Sequence, residues 1–362
     1  MKCLHPYIGW RVGKHLNAAG KMVDTIEFSF KEALKVLGDY KNLELAAISL
    51  PCGKCVECRK SKRQDMAVRL THEVECHEES CFITLTYAPD NLTYVNRYGE
   101  YCRSTELPEC RDGWYESLFK KDLQNFMKRL RKHLKYVNKK VKTDRKDHVE
   151  SQIRYFAVGE YGSKGQRPHW HVMIFGWKPS DLHVHKNCGN YIVYRSDQIE
   201  KLWKFGFSTV GDCNNAVARY CAQYVTKKLV KGHRPNEEFT EPEVILCSKM
   251  NGGIGYAFVQ QFHKQIAEQG YVMVFNRKAN KAYKCRIPAY YVRKIKELYP
   301  MEYQLIYDRQ MTYLTDEMAR NELRGEEFWT RYWKDQKARH AVWFENQKRL
   351  RRSFEEPEKP VF

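Results

Sequence analysis

The stretch RPHWHVMIFG, residues 167–176, sets two histidines on either side of a tryptophan in an otherwise apolar run. Such a run predicts a β-strand over residues 169–177. Because residues two apart in a strand face the same side of a sheet, His169 and His171 should project together while Trp170 faces away. Two neutral imidazoles in this arrangement can share one divalent metal ion, although a simple pair of core or surface histidines gives the same pattern.

The segment before this strand, IRYFAVGEYG at residues 153–162, predicts a second strand. The intervening YGSKGQRP, residues 161–168, contains two glycines and a proline and predicts a hairpin loop. Pairing across that loop puts Glu160 opposite His169, with Cβ atoms about 4.5–5.5 Å apart. One carboxylate and two imidazoles suit Mg²⁺, Mn²⁺ or Zn²⁺. The alternative is that Glu160 forms an ion pair with a lysine such as Lys164.

Two tyrosines lie one turn apart on a helix predicted over residues 215–232, NAVARYCAQYVTKKLVKG. Tyr220 and Tyr224 share a face with Lys227, and a lysine argues against a purely apolar stripe, the usual reason for aromatics at this spacing. A phenol, with a pKa of about 10, needs activation to attack a phosphate. A metal ion that binds the phosphate supplies such help, and Lys227 could stabilise developing charge. Attack on DNA would leave a 5′-phosphotyrosine and a free 3′-hydroxyl.

The elements around these motifs predict an α+β fold. The order β-α-β-β-α-β-α is typical of an antiparallel, ferredoxin- or RRM-like split βαβ sheet with helices on its faces. The remaining predicted elements are a strand at 81–87 (CFITLTY), a helix at 117–137, a short helix at 195–206 and a strand at 207–213.

Outside this core the patterns are weaker. A helix is predicted over residues 62–78, few regular elements over the first 60 residues, a long loop over 88–116, and mostly helix over 315–353. We therefore expect three regions: an N-terminal segment with a cysteine knuckle and helix at 1–75, an endonuclease-like domain at 76–232, and a C-terminal region at 233–362.

Closely spaced cysteines mark the N-terminal segment. The chain has 13 cysteines, and MKCLHPYIGWRVGKH lacks the apolar run of a secretory signal, so we expect reduced thiols in the cytoplasm. Cys52, Cys55 and Cys58 follow CxxCxxC spacing, and Cys3 or His5 could complete a structural Zn²⁺ site. Free thiols and an iron–sulfur cluster are the alternatives, the latter without the Cys-Pro of the bacterial ferredoxin run.

An excess of positive charge points to a polyanionic partner. Lys and Arg number 63 against 44 Asp and Glu, a net charge of +19, which favours nucleic acid or an acidic membrane surface. No stretch is long and apolar enough to span a bilayer, so we expect no membrane association through a span. Trp170 and Tyr161 could stack on bases. The basic candidates for DNA binding are Arg167, Lys60, Arg63, Lys128 and Arg131.

Three motifs in order, FITLTY, HWH and YxxxYxxK, resemble those of the HUH endonucleases of rolling-circle replication. Tyrosines that follow the histidines are similar to the replication-initiator class, because relaxases usually carry the tyrosine first. LPCGKCVECRK, VGEYG, RPHWHVMIFG and YCAQYVTKK together look like the replication initiators of microviruses, the small single-stranded DNA phages, and especially of the gokushovirus type. The likeness spans about residues 50–230, and weaker likeness is found in GGIGYAF (252–258) and IPAYY (287–291).

The resemblance implies a role for each residue of the predicted site. His169, His171 and Glu160 become ligands of a catalytic Mg²⁺ or Mn²⁺, Tyr220 and Tyr224 become nucleophiles, and Lys227 matches the lysine of the tyrosine motif. It also implies site-specific nicking of single-stranded or supercoiled phage DNA at the origin, a 3′-hydroxyl primer, and rejoining that circularises the product.

The same resemblance implies partners and a location. The host's helicase and DNA polymerase would act with the protein in the cytoplasm of the host bacterium, and the sequence has no GxxxxGK[ST] loop of its own. Two other functions remain open. One is a non-catalytic, basic, zinc-containing protein that binds single-stranded nucleic acid, and the other is a transposase with the same chemistry.

Overall fold

The computed structural model describes residues 3, 6–18, 20, 22–109, 111–140, 153–162, 165–189, 191–227, 238–276 and 280–322. The chain forms two compact units. The first contains the residues up to Lys62 and, from Tyr313, the end of the last described helix. The second runs from Arg63 to Thr312. The division into three regions at residues 75 and 232 stays a prediction.

The first unit contains regular structure that the sequence pattern did not predict. Its elements are β1 (Tyr7–Leu16), β2 (Met22–Glu27), α1 (Phe30–Leu37), α2 (Tyr40–Ala46) and β3 (Ala47–Leu50). The strands form an antiparallel sheet in the order β2-β1-β3, and the helices cover a small core of Trp10, Ala33 and Leu43. A break in register between Arg11 and Gly13 interrupts the alternation of side chains in the longest strand, which explains the weak pattern.

The second unit is built on a seven-stranded sheet. In chain order, the elements up to this sheet's last strand are α3 (Val56–Glu75), β4 (Ser80–Tyr87), β5 (Thr93–Asn96), β6 (Tyr101–Arg103), β7 (Trp114–Glu116), α4 (Lys120–Lys140), β8 (Arg154–Tyr161), β9 (Pro168–Phe175), β10 (His183–Asn187), β11 (Ile192–Arg195), α5 (Asp197–Trp203), β12 (Gly206–Asp212), α6 (Asn215–Lys227) and β13 (Ile245–Cys247). Helix α3 begins six residues before the predicted one.

The sheet order is β10-β11-β12-β4-β9-β8-β13, and every neighbouring pair is antiparallel. Its centre, β12-β4-β9-β8, places the fourth predicted core strand beside the first, then the third, then the second. This is the order of a split βαβ sheet. The prediction of an α+β fold with an antiparallel sheet is confirmed.

The two faces of the sheet have separate cores. Trp170 points into the core that faces α4, where it is fully buried against the backbone of Gly159. A Cβ at that glycine would lie 2.9 Å from the indole ring, so only glycine fits opposite the tryptophan. Phe156 and Met173 point to the other face, where they pack against Val217 of α6. The histidines of β9 lie on this second face.

The predicted loop at 88–116 is wrong in part. Residues 93–116 form a small antiparallel sheet in the order β6-β5-β7, with 3₁₀ turns at Pro89–Asn91 and Ser104–Glu106. Its strands are only three or four residues long, which is too short for a periodic pattern. Arg103 fastens the small sheet to α4 through hydrogen bonds of 3.0 and 2.6 Å to the buried carboxylate of Asp122.

The rest of the second unit packs around a third core. Its elements are α7 (Tyr256–Gln269), β14 (Val272–Asn276), β15 (Lys281–Cys285), α8 (Ala289–Leu298) and α9 (Pro300–Glu322). Buried Val259, Val272, Tyr291 and Ile295 form this core together with Val68 of α3. The helix predicted at 315–353 is helical as far as Glu322, and its remainder lies outside the described residues. Within the described ranges, no helix has both the length and the apolar character needed to cross a bilayer.

Candidate active site

Three side chains from adjacent strands converge at one end of the sheet. The register places Glu160 of β8 directly opposite His169 of β9, as the sequence predicted. Glu160 Oε2 lies 3.5 Å from His169 Nε2 and 3.2 Å from His171 Nε2. The two Nε2 atoms are 3.2 Å apart. The carboxylate and both imidazoles therefore share one point, whose surroundings are only partly open to solvent.

Hydrogen bonds at the far side of each imidazole orient the two rings. His169 Nδ1 lies 3.1 Å from the backbone carbonyl of Arg167, which only accepts, so the proton must be on Nδ1 and Nε2 has a free lone pair. His171 Nδ1 lies 3.1 Å from Thr84 Oγ1 on the neighbouring strand β4. These contacts are the outer partners that metal-binding histidines usually have.

The triangle of donor atoms has the dimensions of one metal coordination shell. Ligands about 2.1 Å from an ion are separated by about 3.0 Å at neighbouring octahedral positions and about 3.4 Å at tetrahedral ones. The observed edges of 3.2–3.5 Å fall in this range. Two lone pairs that face each other at 3.2 Å repel unless a cation lies between them. The three residues therefore fit a divalent ion and leave further positions on it for water or a phosphate oxygen.

Two tyrosines of α6 reach the same point. The Tyr220 hydroxyl lies 3.0 Å from His171 Nε2 and donates to Glu160 Oε2 at 3.1 Å. The Tyr224 hydroxyl donates to the same carboxylate oxygen and lies 2.8 Å from the Tyr220 hydroxyl. Burial, and then the negative charge of Glu160, raise the pKa of both phenols. Both are therefore protonated at neutral pH when no cation is bound.

Packing at its other end holds α6 in place. Asn214 precedes the helix and caps it by accepting a 3.1 Å hydrogen bond from the backbone N–H of Val217. Ala218, Cys221 and Ala222 are fully buried against the sheet. The tyrosines lie on the same side of the helix as this apolar face, and only their hydroxyl ends meet polar groups. Lys227 is the last residue of α6, and its side chain lies outside the described residues.

Two residues at the site were not found by sequence reasoning. Cross-strand pairing aligns Phe207, Thr86, His169 and Glu160 in one row over four strands. Directly opposed side chains share a face, so the ring of Phe207 lies on the same surface as the metal-ligand candidates, and it is 57% exposed. Thr84, which contacts His171, stands in the next row. The signal for both was the alternation within CFITLTY and FSTVGDC, but it could be used only once the strand order was known.

The expected contacts with DNA fare unevenly. Base stacking by Trp170 and Tyr161 is wrong, because Trp170 is fully buried and Tyr161 is 4% exposed, with its hydroxyl donating to the Glu241 carbonyl at 2.7 Å. Arg167 is exposed but donates to the Tyr87 carbonyl at 3.0 Å. The remaining basic candidates stay predictions: Arg63 lies on α3, Lys60 pairs with Glu57, Lys128 is exposed on α4, and Arg131 stacks over Tyr155.

A second cluster of metal-ligand candidates lies in the first unit. Cys3 Sγ is 3.8 Å from Cys55 Sγ, and Cys52 Sγ is 4.0 Å from Cys58 Sγ. Four thiolates about 2.3 Å from a tetrahedral Zn²⁺ would be separated by about 3.8 Å, so the set fits this ion. His5, the alternative fourth ligand, lies outside the described residues.

Backbone groups prepare one of these thiols to bind a metal. Burial alone would raise the pKa of Cys52, but hydrogen bonds from the backbone N–H groups of Cys55 and Lys54 lower it to about 7. The N–H of Cys55 lies 3.3 Å from the sulfur that it stabilises. A thiolate is the form that binds metals, so these contacts favour a metal-binding cluster.

Comparisons with known proteins identify the family. Residues 80–229 match a family model described as replication-associated protein of the ORF2 kind. The replication-associated protein ORF2 of Spiroplasma virus 4 is 30% identical over 266 residues, which cover 72% of this chain and 72% of that protein. The chain belongs to this family of replication-associated proteins.

Two further relatives agree. The replication-associated protein VP4 of Bdellovibrio phage phiMH2K is 28% identical over 329 residues, 90% of this chain and 87% of that protein. The replication-associated protein ORF4 of Chlamydia phage 1 is 31% identical over 232 residues, 60% of this chain and half of that protein. The resemblance to microvirus-type replication initiators is confirmed. No solved structure matches this replication-associated protein significantly.

Proposed function

We propose that this replication-associated protein is an HUH endonuclease that nicks phage DNA at the origin and later rejoins the strand. The observation that supports this most directly is the convergence of Tyr220, Tyr224 and the Glu160–His169–His171 triangle on one point. A structural core has no need to bury two phenols against a carboxylate and two imidazoles. A nuclease that makes a phosphotyrosine needs this set of groups.

The residues would divide the work as follows. Glu160, His169 and His171 hold a Mg²⁺ or Mn²⁺ ion, which when bound polarises the scissile phosphate and neutralises charge in the transition state. The phenolate oxygen of a tyrosine forms a bond to phosphorus while the bond to the 3′ oxygen breaks. The phenol's proton passes to water, and the released 3′ oxygen takes up a proton to become the primer.

Tyr220 is placed to attack first. Its side chain is partly exposed and its hydroxyl contacts His171, whereas Tyr224 is 5% exposed and lies behind it. Tyr224 is then free for the second transfer, which rejoins the strand without releasing its end. Lys227 would stabilise the charge that develops during either step.

The test is incubation with labelled circular single-stranded phage DNA and Mn²⁺, followed by a denaturing gel. We expect a protein-linked product that EDTA abolishes and that the Tyr220→Phe/Tyr224→Phe variant cannot form. Tyr115→Phe, in the small sheet, is the matched control and should react like the wild type. Mass spectrometry of the wild-type adduct should place the phosphate on Tyr220. Intact DNA binding without any adduct would instead favour a non-catalytic nucleic-acid-binding protein.

We further propose that the cysteine cluster holds a structural Zn²⁺ ion with Cys3, Cys52, Cys55 and Cys58 as ligands. The match between the sulfur separations and a tetrahedral site supports this, as do the N–H contacts to the thiols. A closed site of four thiolates has no position for substrate, so its role would be to stabilise the N-terminal unit. The enzyme would act in the host cytoplasm with the host's helicase and polymerase.

A further inference from the structure

A two-stranded ribbon, made of β14 and β15, stands out by its charge. Residues 271–300, which contain it, carry eight Lys or Arg residues and one acidic residue, Glu297. The same segment contains six aromatic residues. Such a local excess within a chain of net charge +19 marks a surface for a polyanion rather than a uniformly basic protein. None of the proposed catalytic residues lies in this segment.

The inner face of the ribbon is fixed to the core of the second unit. Val272 and Val274 are buried among residues of α7 and α8. The imidazole of His72 donates from Nε2 to the carbonyl of Met273 at 2.8 Å and, through Nδ1, accepts from the Tyr291 hydroxyl at 3.0 Å. The ribbon is therefore a rigid element with one defined outward face.

That outward face combines apolar and cationic side chains. Met273 and Phe275 alternate with the buried valines and are 37% and 44% exposed. Met273 pairs with Lys284 on β15, so Lys284 shares the outward face, where its ammonium lies 4.6 Å from the ring of Tyr271. Lys281 is exposed at the start of β15, and the sequence places Arg277 and Lys278 between the strands.

The nearby acidic groups are engaged with other cations. Asp65 pairs with Arg286 at 2.7 Å, and Glu297 pairs with Lys294 at 3.0 Å. The charge of Lys284 instead faces an aromatic ring, which leaves it available to an anion. The ribbon thus presents a positive surface with an apolar centre.

We propose that this ribbon is a second DNA-binding site, which binds duplex DNA in the major groove. A two-stranded antiparallel ribbon fits a groove about 12 Å wide, lysines at its edges neutralise phosphates, and apolar side chains can contact thymine methyl groups. The choice of DNA as the polyanion rests on the proposed function. A nickase whose active site works on a single strand needs a separate contact to hold the origin while it is still double-stranded.

The test measures binding of a duplex of mixed sequence, about 25 base pairs long, by fluorescence anisotropy in EDTA, from about 50 to 200 mM salt. Each phosphate contact contributes about 0.9 to the slope of log affinity against log salt. Lys284→Gln should therefore reduce the fall in affinity over this range by about 3.5-fold, and Lys281→Gln/Lys284→Gln by about 12-fold. Lys264→Gln, an exposed lysine of α7 in the same unit, is the matched control and should behave as wild type.

A second readout separates this site from the proposed catalytic function. The double variant should nick a labelled single-stranded oligonucleotide with Mn²⁺ as fast as the wild type does. If the wild type forms no adduct, the proposed function fails, yet the duplex measurement still decides the role of the ribbon. The ribbon proposal is overturned if the lysine variants keep the wild-type salt slope or if Lys264→Gln changes it equally. It is also overturned if single-strand binding falls in step with duplex binding.

Discussion

Replacing Thr84 by valine should weaken metal binding without changing any proposed metal ligand. The hydroxyl of Thr84 lies 3.1 Å from His171 Nδ1 and is positioned to hold that ring with Nε2 towards Glu160. Valine has the same branching at Cβ and also favours strands, so Thr84→Val should leave β4 intact. The imidazole would lose its outer partner and could rotate or adopt the other tautomer.

The magnitude follows from the burial of the ring. A hydrogen bond of this kind contributes about 0.5–1.5 kcal/mol net, and outer partners of metal-bound histidines typically change metal affinity by about 10- to 100-fold. His171 is only 8% exposed, so water has little room to replace the lost hydroxyl. We therefore expect the apparent affinity for Mn²⁺ to fall by about 10-fold, which corresponds to about 1.4 kcal/mol.

The chain supplies a matched control two residues away. Thr86 lies on the same strand and the same face, but its hydroxyl donates to the Phe207 carbonyl at 3.2 Å instead of contacting a histidine. The assay is cleavage of a labelled single-stranded oligonucleotide over a series of Mn²⁺ concentrations. Thr84→Val should shift the midpoint and approach the wild-type rate at saturating metal, whereas Thr86→Val should not shift it. Equal midpoints for the two variants would refute the positioning role.

Three further outcomes are expected. Phe207→Ala should raise the KM for a single-stranded oligonucleotide by about 5-fold or more while leaving kcat unchanged, because its exposed ring lies in the row of His169 and can stack on a base; Phe207→Tyr should restore it. Cys55→Ser should remove the bound zinc, measured by mass spectrometry of the metal, and lower the Tm, while Cys102→Ser keeps both. The third concerns acid stability. Burial lowers the pKa of His72 from 6.5 to about 4, so stability is complete above pH 6.5 and is lost as the pH falls towards 4, by up to about 3 kcal/mol. Thermal unfolding at about pH 7 and pH 4.5 should show a smaller loss in His72→Gln than in the wild type, and an equal loss in both would contradict this origin of the acid sensitivity.

The register of one hairpin could be predicted because every part of it is local. The loop at 161–168 carries clear turn residues, and the period of two in a strand leaves little choice once the loop is fixed. Glu160 opposite His169 is therefore confirmed. The same rule put Trp170 on the face away from the histidines, where it is fully buried. The expectation that this tryptophan stacks on bases contradicted the pattern that located the site.

What the sequence could not predict depends on the order of strands in the sheet. Thr84 and Phe207 approach the site only because β4 lies beside β9 and β12 lies beside β4, and these strands are far apart in the chain. The strands at 93–116 were missed for a different reason. Each has three or four residues, so their stability comes from contacts such as that of Arg103 with Asp122 and not from their own periodicity.

The carboxylate of Glu160 is positioned for two different tasks. Without a cation it accepts hydrogen bonds from both Tyr220 and Tyr224 and helps to keep their phenols protonated, since its charge raises their pKa. A cation at the triangle with His169 and His171 would offset that negative charge. The barrier to forming a phenolate would then fall only when metal is present. This arrangement couples the reactivity of the tyrosines to occupation of the metal site, so that one residue prevents idle ionisation and also supplies a ligand.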